Sequence, residues 1–453
     1  MTGTVDTIAA VSTPAGTGGV GVIRLSGPRS AQVLNACFRP ASGGALTDHP
    51  PRQMVYGQLL DREGQTIDRC LAFYTQGGAS FTGEPTGELH CHGAPLVLAL
   101  ALETLFALGC RQAGPGEFTR RAFLHGKLDL AQSEAVADLL EAQSREGVRH
   151  AAGRLGGALS RRVEAVYQAL TGLDAHFCAV LDYPDEDLDP FTTRTMQETL
   201  SAQDDALRQL LGSWRRGRQV AQGVPCALVG RPNAGKSSLF NALAGYDRAI
   251  VTPIPGTTRD TVEERVELGG VSLRLIDTAG LRDAQDPIEQ LGVERSRAAM
   301  EEAGLILVLA DGSSGWTPED QGLLERARQT APVILVRTKS DLPPEEWAVE
   351  ADVVLSARTG EGVDALERAV AERFPKGEHE VYGELLSNAR QADAARRALE
   401  YVEQARQALA AGYAPDAVLS DVEQALEALG ELTGKTVRED VTDCIFRRFC
   451  VGK

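Results

Sequence analysis

The stretch Gly230-Arg231-Pro232-Asn233-Ala234-Gly235-Lys236-Ser237 decides how the chain is read. It has the form G-x-x-x-x-G-K-S of a Walker A loop, and its surroundings suit that motif. The apolar run Cys226-Ala227-Leu228-Val229 before it reads as a buried strand, and Ser237-Ser238-Leu239-Phe240-Asn241-Ala242-Leu243 after it opens a helix. A loop between strand and helix turns backbone N–H groups toward a phosphate, which the positive end of the helix also attracts. Gly230 and Gly235 let the backbone wrap, with Asn233 and Ala234 between them. Lys236 reaches the β and γ phosphates, and Ser237, followed by Ser238, offers an oxygen to Mg2+.

Further pieces follow at the spacing of a GTP-binding domain. Thr257 and Thr258, in Pro255-Gly256-Thr257-Thr258-Arg259-Asp260, supply a switch threonine able to join Ser237 on Mg2+. Asp277-Thr278-Ala279-Gly280 comes directly after the strand Val271 to Ile276, where Asp277 can hold the magnesium shell and Gly280 can approach the γ phosphate. Thr338-Lys339-Ser340-Asp341 follows the apolar run Val333-Ile334-Leu335-Val336, and the Asp341 carboxylate can accept both donors of a guanine edge. Ser356-Ala357-Arg358, after Val353-Val354-Leu355, is placed to support the base from the other side. In this order the motifs predict an α/β P-loop domain of the Ras-like kind that binds GTP. One departure stands out: the guanine motif usually begins with asparagine. Thr338 in its place removes an amide that braces the nucleotide loop, so the expectation is retained guanine recognition with weaker affinity.

Composition sets outer limits. A chain of 453 residues has room for roughly two to four domains with real cores, and 43% hydrophobic with 24% charged residues is ordinary soluble composition. No apolar run reaches bilayer length, and the N-terminus lacks a basic n-region and cleavage site, so a cytoplasmic protein without a membrane segment is expected. The eight cysteines lack framework spacing, which predicts reduced thiols. A net charge of -17 argues against broad, nonspecific nucleic-acid binding and leaves room only for local basic patches.

From its start the chain alternates. The runs Thr4 to Ala10, Val20 to Leu25, Gln53 to Asp61, Ile67 to Tyr74 and Gly87 to His92 read as strands, and Ala94 to Leu108 as the first helix, giving an α+β unit. Gly16 to Gly21 satisfies G-x-G-x-x-G, yet a strand-like run follows it and no acidic residue stands about twenty positions on, so a Rossmann site is rejected. His90-Cys91-His92 puts both histidines on one face of a strand and the cysteine on the other, with no second ligand pair at zinc spacing; core or surface roles are expected.

From Pro115 the pattern turns helical. Ala131, Ala135, Val136, Leu139 and Leu140, then Leu155, Leu159, Val163, Val166, Leu170, Leu173 and Phe177, recur at three- and four-residue intervals. The acidic stretch Tyr183 to Pro190 breaks the run, and a further helix from about Arg194 to Leu211 leads to Trp214-Arg215-Arg216-Gly217-Arg218, a basic spot that suits RNA or a solvated linker. Helical periodicity resumes after Phe374-Pro375-Lys376-Gly377 and continues to Phe449. Helical segments on both sides of the nucleotide domain predict one helical domain, 123–218 plus 377–453, into which residues 219–376 are inserted after an N-terminal α+β domain of residues 1–122.

At full length the chain resembles the MnmE family of tRNA modification GTPases, also called TrmE. The resemblance is carried by Asp6-Thr7-Ile8-Ala9-Ala10 with Gly18-Gly19-Val20-Gly21, by Ser80-Phe81-Thr82-Gly83-Glu84, by Pro115-Gly116-Glu117-Phe118-Thr119 and by Lys127-Leu128-Asp129-Leu130-Ala131-Gln132. The Walker A and switch blocks and the terminal Cys450-Val451-Gly452-Lys453 belong to it too. It implies a homodimer formed through N-terminal domains and an FAD-containing partner, MnmG, in a heterotetramer or larger complex. Together they would add an aminomethyl-type group to C5 of the wobble uridine of certain tRNAs. The one-carbon donor implied is a 5-formyl- or methylene-tetrahydrofolate, with Arg24, Glu88, Lys127 and Lys453 as its contacts.

Three mechanistic expectations accompany this reading. Leu281 follows the Asp277 motif where many GTPases carry a water-orienting glutamine, so another polar group must act, and Asp283, Asp286 and Glu289 lie just beyond. The resemblance favours Glu289. Potassium is expected to supply the charge of an arginine finger, held by Asn233 and by backbone oxygens of the segment containing Thr252, Ile254 and Thr257. The resemblance points to the same residues. Cys450 four residues from the end is not a prenylation site, because Val451 and Gly452 are not both aliphatic and lysine is terminal. A packed cysteine and a working thiol beside the folate contacts remain, and the resemblance favours a part in modification.

Overall fold

A computed structural model of the protein describes residues 6–142, 144–182, 193–246, 264–276, 297–347, 349–375, 381–413, 415–436, 439–447 and 449–453. The chain divides into two units: Met1–Ala137 with Val163–Thr171 and Glu423–Lys453, and Asp138–Arg162 with Gly172–Val422.

The first unit is built on seven strands, β1 (Ile8–Val11), β2 (Gly18–Ser26), β3 (Phe38–Pro40), β4 (Val55–Leu60), β5 (Thr66–Thr75), β6 (Thr86–Gly93) and β7 (Arg111–Gln112). Their order is β3-β4-β5-β6-β2-β1-β7, antiparallel except for the β1–β7 pair. Period-two alternation points Ile23, Leu25, Val55, Leu59, Cys70, Ala72, Leu89 and Cys91 into a core covered by helices α1 (Ser30–Cys37) and α2 (Pro95–Ala107). The same alternation turns Arg24, Glu88 and Phe73 to the other face, in one row across three strands. The strand that follows the rejected G-x-G-x-x-G stretch is β2. The first helix of the chain is α1, not the segment Ala94 to Leu108: α1 has eight residues and buries only Ser30, Val33, Leu34 and Cys37, too few for its period to be read.

Helix α3 (Glu117–Leu124) follows β7, and α4 (Leu130–Glu141) and α6 (Ala158–Asp182) each contribute residues to both units. The end of the chain docks on the first unit. Val451 forms an antiparallel bridge with Pro115, Gly116 N–H donates to Cys450 O at 3.3 Å, and Phe118 N–H donates to Lys453 O at 3.1 Å. Ser12 Oγ donates to Gly452 O at 3.0 Å. Gly452 has φ +99°, and a Cβ there would lie 2.2 Å from Val11 O, so the docked turn accepts only glycine.

The second unit contains α5 (Arg145–Leu155), α7 (Thr193–Gly212), α8 (Trp214–Gln222) and a six-stranded sheet followed along the chain by the helix Ala389–Ala410. Its strands are β8 (Val224–Gly230), β9 (Glu264–Leu268), β10 (Val271–Ile276), β11 (Leu305–Asp311), β12 (Val333–Thr338) and β13 (Val353–Val354). They run in the order β13-β12-β11-β8-β10-β9 and are parallel except for β9 against β10. Every residue of β11 is buried, because helices cover both faces of a parallel sheet and its strands need no polar side. The helix Ala389–Ala410 packs on α7 and buries the small residues Ala394, Ala395, Ala398 and Ala405. Trp214 to Arg218 forms the first turns of α8. Arg216 donates to Glu146 Oε1 at 2.6 Å and Arg218 stands 6.0 Å from the Trp214 ring centroid, so the basic spot is helical and not an open linker, with Arg215 and Arg218 exposed on it.

Candidate functional site

In the second unit β8 ends at Gly230 and helix α9 (Lys236–Tyr246) begins six residues later. A Cβ on Gly230 would lie 2.4 Å from Leu309 O, so only glycine lets the loop leave the sheet this close to β11. Asn233 is exposed and takes φ +64°, Ala234 is buried, and Ser237 and Ser238 stand exposed in the first turn of α9. Lys236 Nζ donates to Gly230 O at 2.7 Å and to Arg231 O at 2.8 Å, which lays the ammonium across the loop. Burial lowers its pKa, a cost that an incoming phosphate would offset.

The expected loss of a loop brace at Thr338 is not what the structure contains. Thr338 is buried, and its Oγ1 donates to Ala234 O at 2.8 Å, with Ala310 O at 3.2 Å as the alternative acceptor. The hydroxyl thus ties the guanine side to the phosphate loop, because β12 carries Thr338 close enough for a short side chain to reach.

Lys339, at φ +59°, donates to Asp311 Oδ2 at 2.6 Å, while Asp311 Oδ1 accepts from Ser313 N at 2.9 Å and Ser313 Oγ at 2.6 Å. Burial opposes the charge on Asp311, but Lys339 and the Ser313 donors outweigh it and hold the carboxyl below its usual range. Sequence reasoning missed Asp311. It ends β11 in register with Thr338 on β12, a pairing that only the folded sheet sets. Asp341 Oδ1 accepts from Ser356 Oγ at 2.7 Å and Oδ2 lies 3.2 Å from Arg358, and the Ser356 bond is the main cause that lowers its pKa. Ala357 packs on the core beneath. Thr252, Ile254, Thr257, Thr258, Asp277, Thr278, Ala279, Gly280, Asp283, Asp286 and Glu289 lie outside the described residues.

In the first unit, Arg24 Nε donates to Glu88 Oε1 at 2.9 Å, and Glu88 Oε2 lies 2.9 Å from His90 Nε2. The Arg24 guanidinium is 5.9 Å from the Phe118 ring centroid and 6.0 Å from that of Phe81. Phe118 is the residue whose N–H holds Lys453 O, so the structure brings Arg24, Glu88 and the terminal residue to one place. Lys127 Nζ donates to Gly78 O, gripping the loop that carries Phe81. Cys450 is a free, exposed thiol, whereas burial pushes Cys37 and Cys226 up to about 12. His92 closes on Asp68 at 2.8 Å and Cys91 faces the core, and no group of three metal-ligating side chains occurs among the described residues. No helix among them is long and apolar enough to cross a membrane.

Residues 7–127 match the family model described as the GTP-binding protein TrmE N-terminus, and residues 130–450 match the MnmE helical domain. A relative from Chloroflexus aurantiacus, a tRNA modification GTPase MnmE, is 44% identical, with 99% of this chain and 100% of that protein covered. The protein of the same name from Symbiobacterium thermophilum is 43% identical, with 99% of each covered. Among solved structures, the G domain of the T. maritima FeoB iron transporter is 28% identical, covering 33% of this chain and 97% of that one at a TM-score of 0.24, too low to carry an argument.

Proposed function

The chain belongs to the MnmE family of tRNA modification GTPases, and from that premise we propose that potassium activates its GTP hydrolysis and that it works with an FAD-containing, MnmG-type partner. Together they install an aminomethyl-type group on C5 of the wobble uridine, with a tetrahydrofolate carrying the one-carbon unit. The observation that carries the folate part is the Arg24–Glu88 pair beside the exposed Phe81 ring and the buried Phe118, whose N–H holds the main-chain carbonyl of Lys453. A guanidinium, a carboxylate and the exposed Phe81 ring suit a flat heterocycle with amide-like edges and a carboxylate tail. The proposed division is an N-terminal domain of residues 1–122 that forms a homodimer, a helical domain of 123–218 plus 377–453, and the GTP domain 219–376 inserted between.

In the GTP domain, loop N–H groups and Lys236 bind the phosphates. Asp341, aligned by Ser356 and Arg358, takes the guanine edge, and Thr338 keeps base and phosphate halves in register. Ser237, exposed at the helix start, would hold Mg2+ with Thr258, and the ion when bound neutralises charge on the β and γ phosphates. Asn233, exposed on the loop, would hold K+ with Thr252, Ile254 and Thr257, adding positive charge where an arginine finger acts in other GTPases. Glu289 orients the attacking water. Cys450, free and exposed, contributes its thiol to the modification step.

The test uses the full chain with its flavoprotein partner, tRNA, GTP and methylene-tetrahydrofolate labelled in the one-carbon unit. Label in the C5 substituent of the wobble uridine is expected. An unlabelled substituent overturns the folate assignment.

A further inference from the structure

Arg121 has the largest of the fully buried side chains, 1% exposed. One terminal nitrogen donates to Glu84 Oε2 at 2.9 Å and to Asp6 O at 3.1 Å; the other donates to Asp6 Oδ1 at 2.8 Å and to Glu117 Oε1 at 3.0 Å. Burial opposes this charge, but the carboxylates outweigh it and raise the pKa of Arg121. Apolar side chains of similar volume often fill such a space as stably, so what this buried ion cluster adds is the geometry of its links and not net stability.

The partners of Arg121 sit on three separate segments. Asp6 precedes β1, Glu84 lies in the loop between β5 and β6, and Glu117 opens α3. That loop is tied down at several points. Ser26 Oγ donates to Glu84 Oε2 at 2.9 Å and lies 2.7 Å from Thr82 Oγ1, and His125 Nδ1 is 2.9 Å from Thr82 O. Phe81 in the same loop stands beside Arg24. On the other side, the first turn of α3 holds the terminal strand through the Gly116 and Phe118 amides. A single guanidinium therefore links the segment that presents Phe81 to the segment that holds Cys450 to Lys453.

We propose that Arg121 is a positioning residue, an ion-paired hub that fixes the Phe81 loop and the terminal strand at a set spacing beside Arg24 and so shapes the pocket for the reduced folate. The part concerning folate rests on the one-carbon reading above. The link between loop and terminal strand does not.

The test compares full-length wild type with Arg121→Lys, which keeps the charge but not the planar fork, and with the pair Arg121→Met and Glu84→Gln, which leaves no bare buried charge. Reduced-folate KM and kcat in the modification reaction, GTP turnover, melting temperature and hydrogen exchange are measured for each. In both variants the folate KM should rise about tenfold with a smaller change in kcat, as loss of pre-set geometry for binding requires. GTP turnover should be unchanged, and exchange should quicken at Gly116, Phe118 and the Phe81 loop while β4 and β5 stay protected. If Arg121→Lys does not accumulate, the neutral pair decides. Unchanged KM and exchange overturn the proposal, as does exchange that rises evenly through the unit together with a lower melting temperature. Should wild type take no carbon from reduced folate, the pocket's reading fails, and the exchange pattern still decides whether Arg121 is the hub.

Discussion

The phosphate loop and the Arg24 cluster are built in opposite ways. Gly230 to Ser237 is one contiguous stretch whose backbone donors, lysine and hydroxyl arrive together between β8 and α9. The cluster draws Arg24 from β2, Glu88 from β6 and Phe81 from a loop, over Phe118 of α3, whose N–H holds the carbonyl of Lys453 at the end of the chain. A contiguous site needs only local conformation. A dispersed one exists only while every contributing segment is docked, so it is more exposed to changes far from its own residues.

The largest effect is expected at the dispersed site. Cys450→Ser should abolish wobble-uridine modification in cells and spare GTP hydrolysis; normal modification would reduce the thiol to packing, and loss of both activities would mean that the two sites do not fail separately. Next comes Glu289→Ala, expected to slow GTP turnover by about 100-fold or more while nucleotide still binds, as removal of a water-orienting group does. Unchanged single-turnover hydrolysis would sink that role. Exchanging potassium for sodium at fixed ionic strength should lower turnover by about tenfold, on the scale of one lost charge contact near the transferring phosphate. Equal rates remove the ion from the mechanism.

A smaller effect sharpens the contrast, because Thr338 is a long-range tie to the otherwise contiguous phosphate loop. Thr338→Val should weaken GTP binding about fivefold, the equivalent of about 1 kcal/mol for one buried hydrogen bond, and calorimetry that finds equal affinity would make the hydroxyl dispensable. The smallest is a pH effect at Asp311. Its carboxyl lies below the ordinary 3.8, so its pairing with Lys339 contributes stability that is fully present above that value and is lost only as pH falls through the lowered one. The drop in melting temperature caused by Asp311→Asn should therefore stay constant from neutral pH down to that range and then shrink. A drop that already shrinks near neutrality would contradict it.

By itself the sequence determined the parts whose geometry is carried by neighbours in the chain. The Walker loop, its flanking strand and helix, and the apolar run of β12 were legible because burial on both faces leaves an unbroken signal and a helix start needs only local residues. Short elements were not. Helix α1 and strands β3 and β7 hold their shape through contacts with distant strands, and two to eight residues carry too little periodicity to announce them. Thr338 shows why motif reading alone misjudged a brace: only the spacing between β12 and the loop decides whether a hydroxyl can reach Ala234 O. Asp311 and Arg121 make the same point from the other side. Neither stands in a pattern of its own, and each acquires a role because folding brings oppositely charged partners from remote segments to within hydrogen-bond reach, a distance that tertiary packing sets and sequence spacing does not.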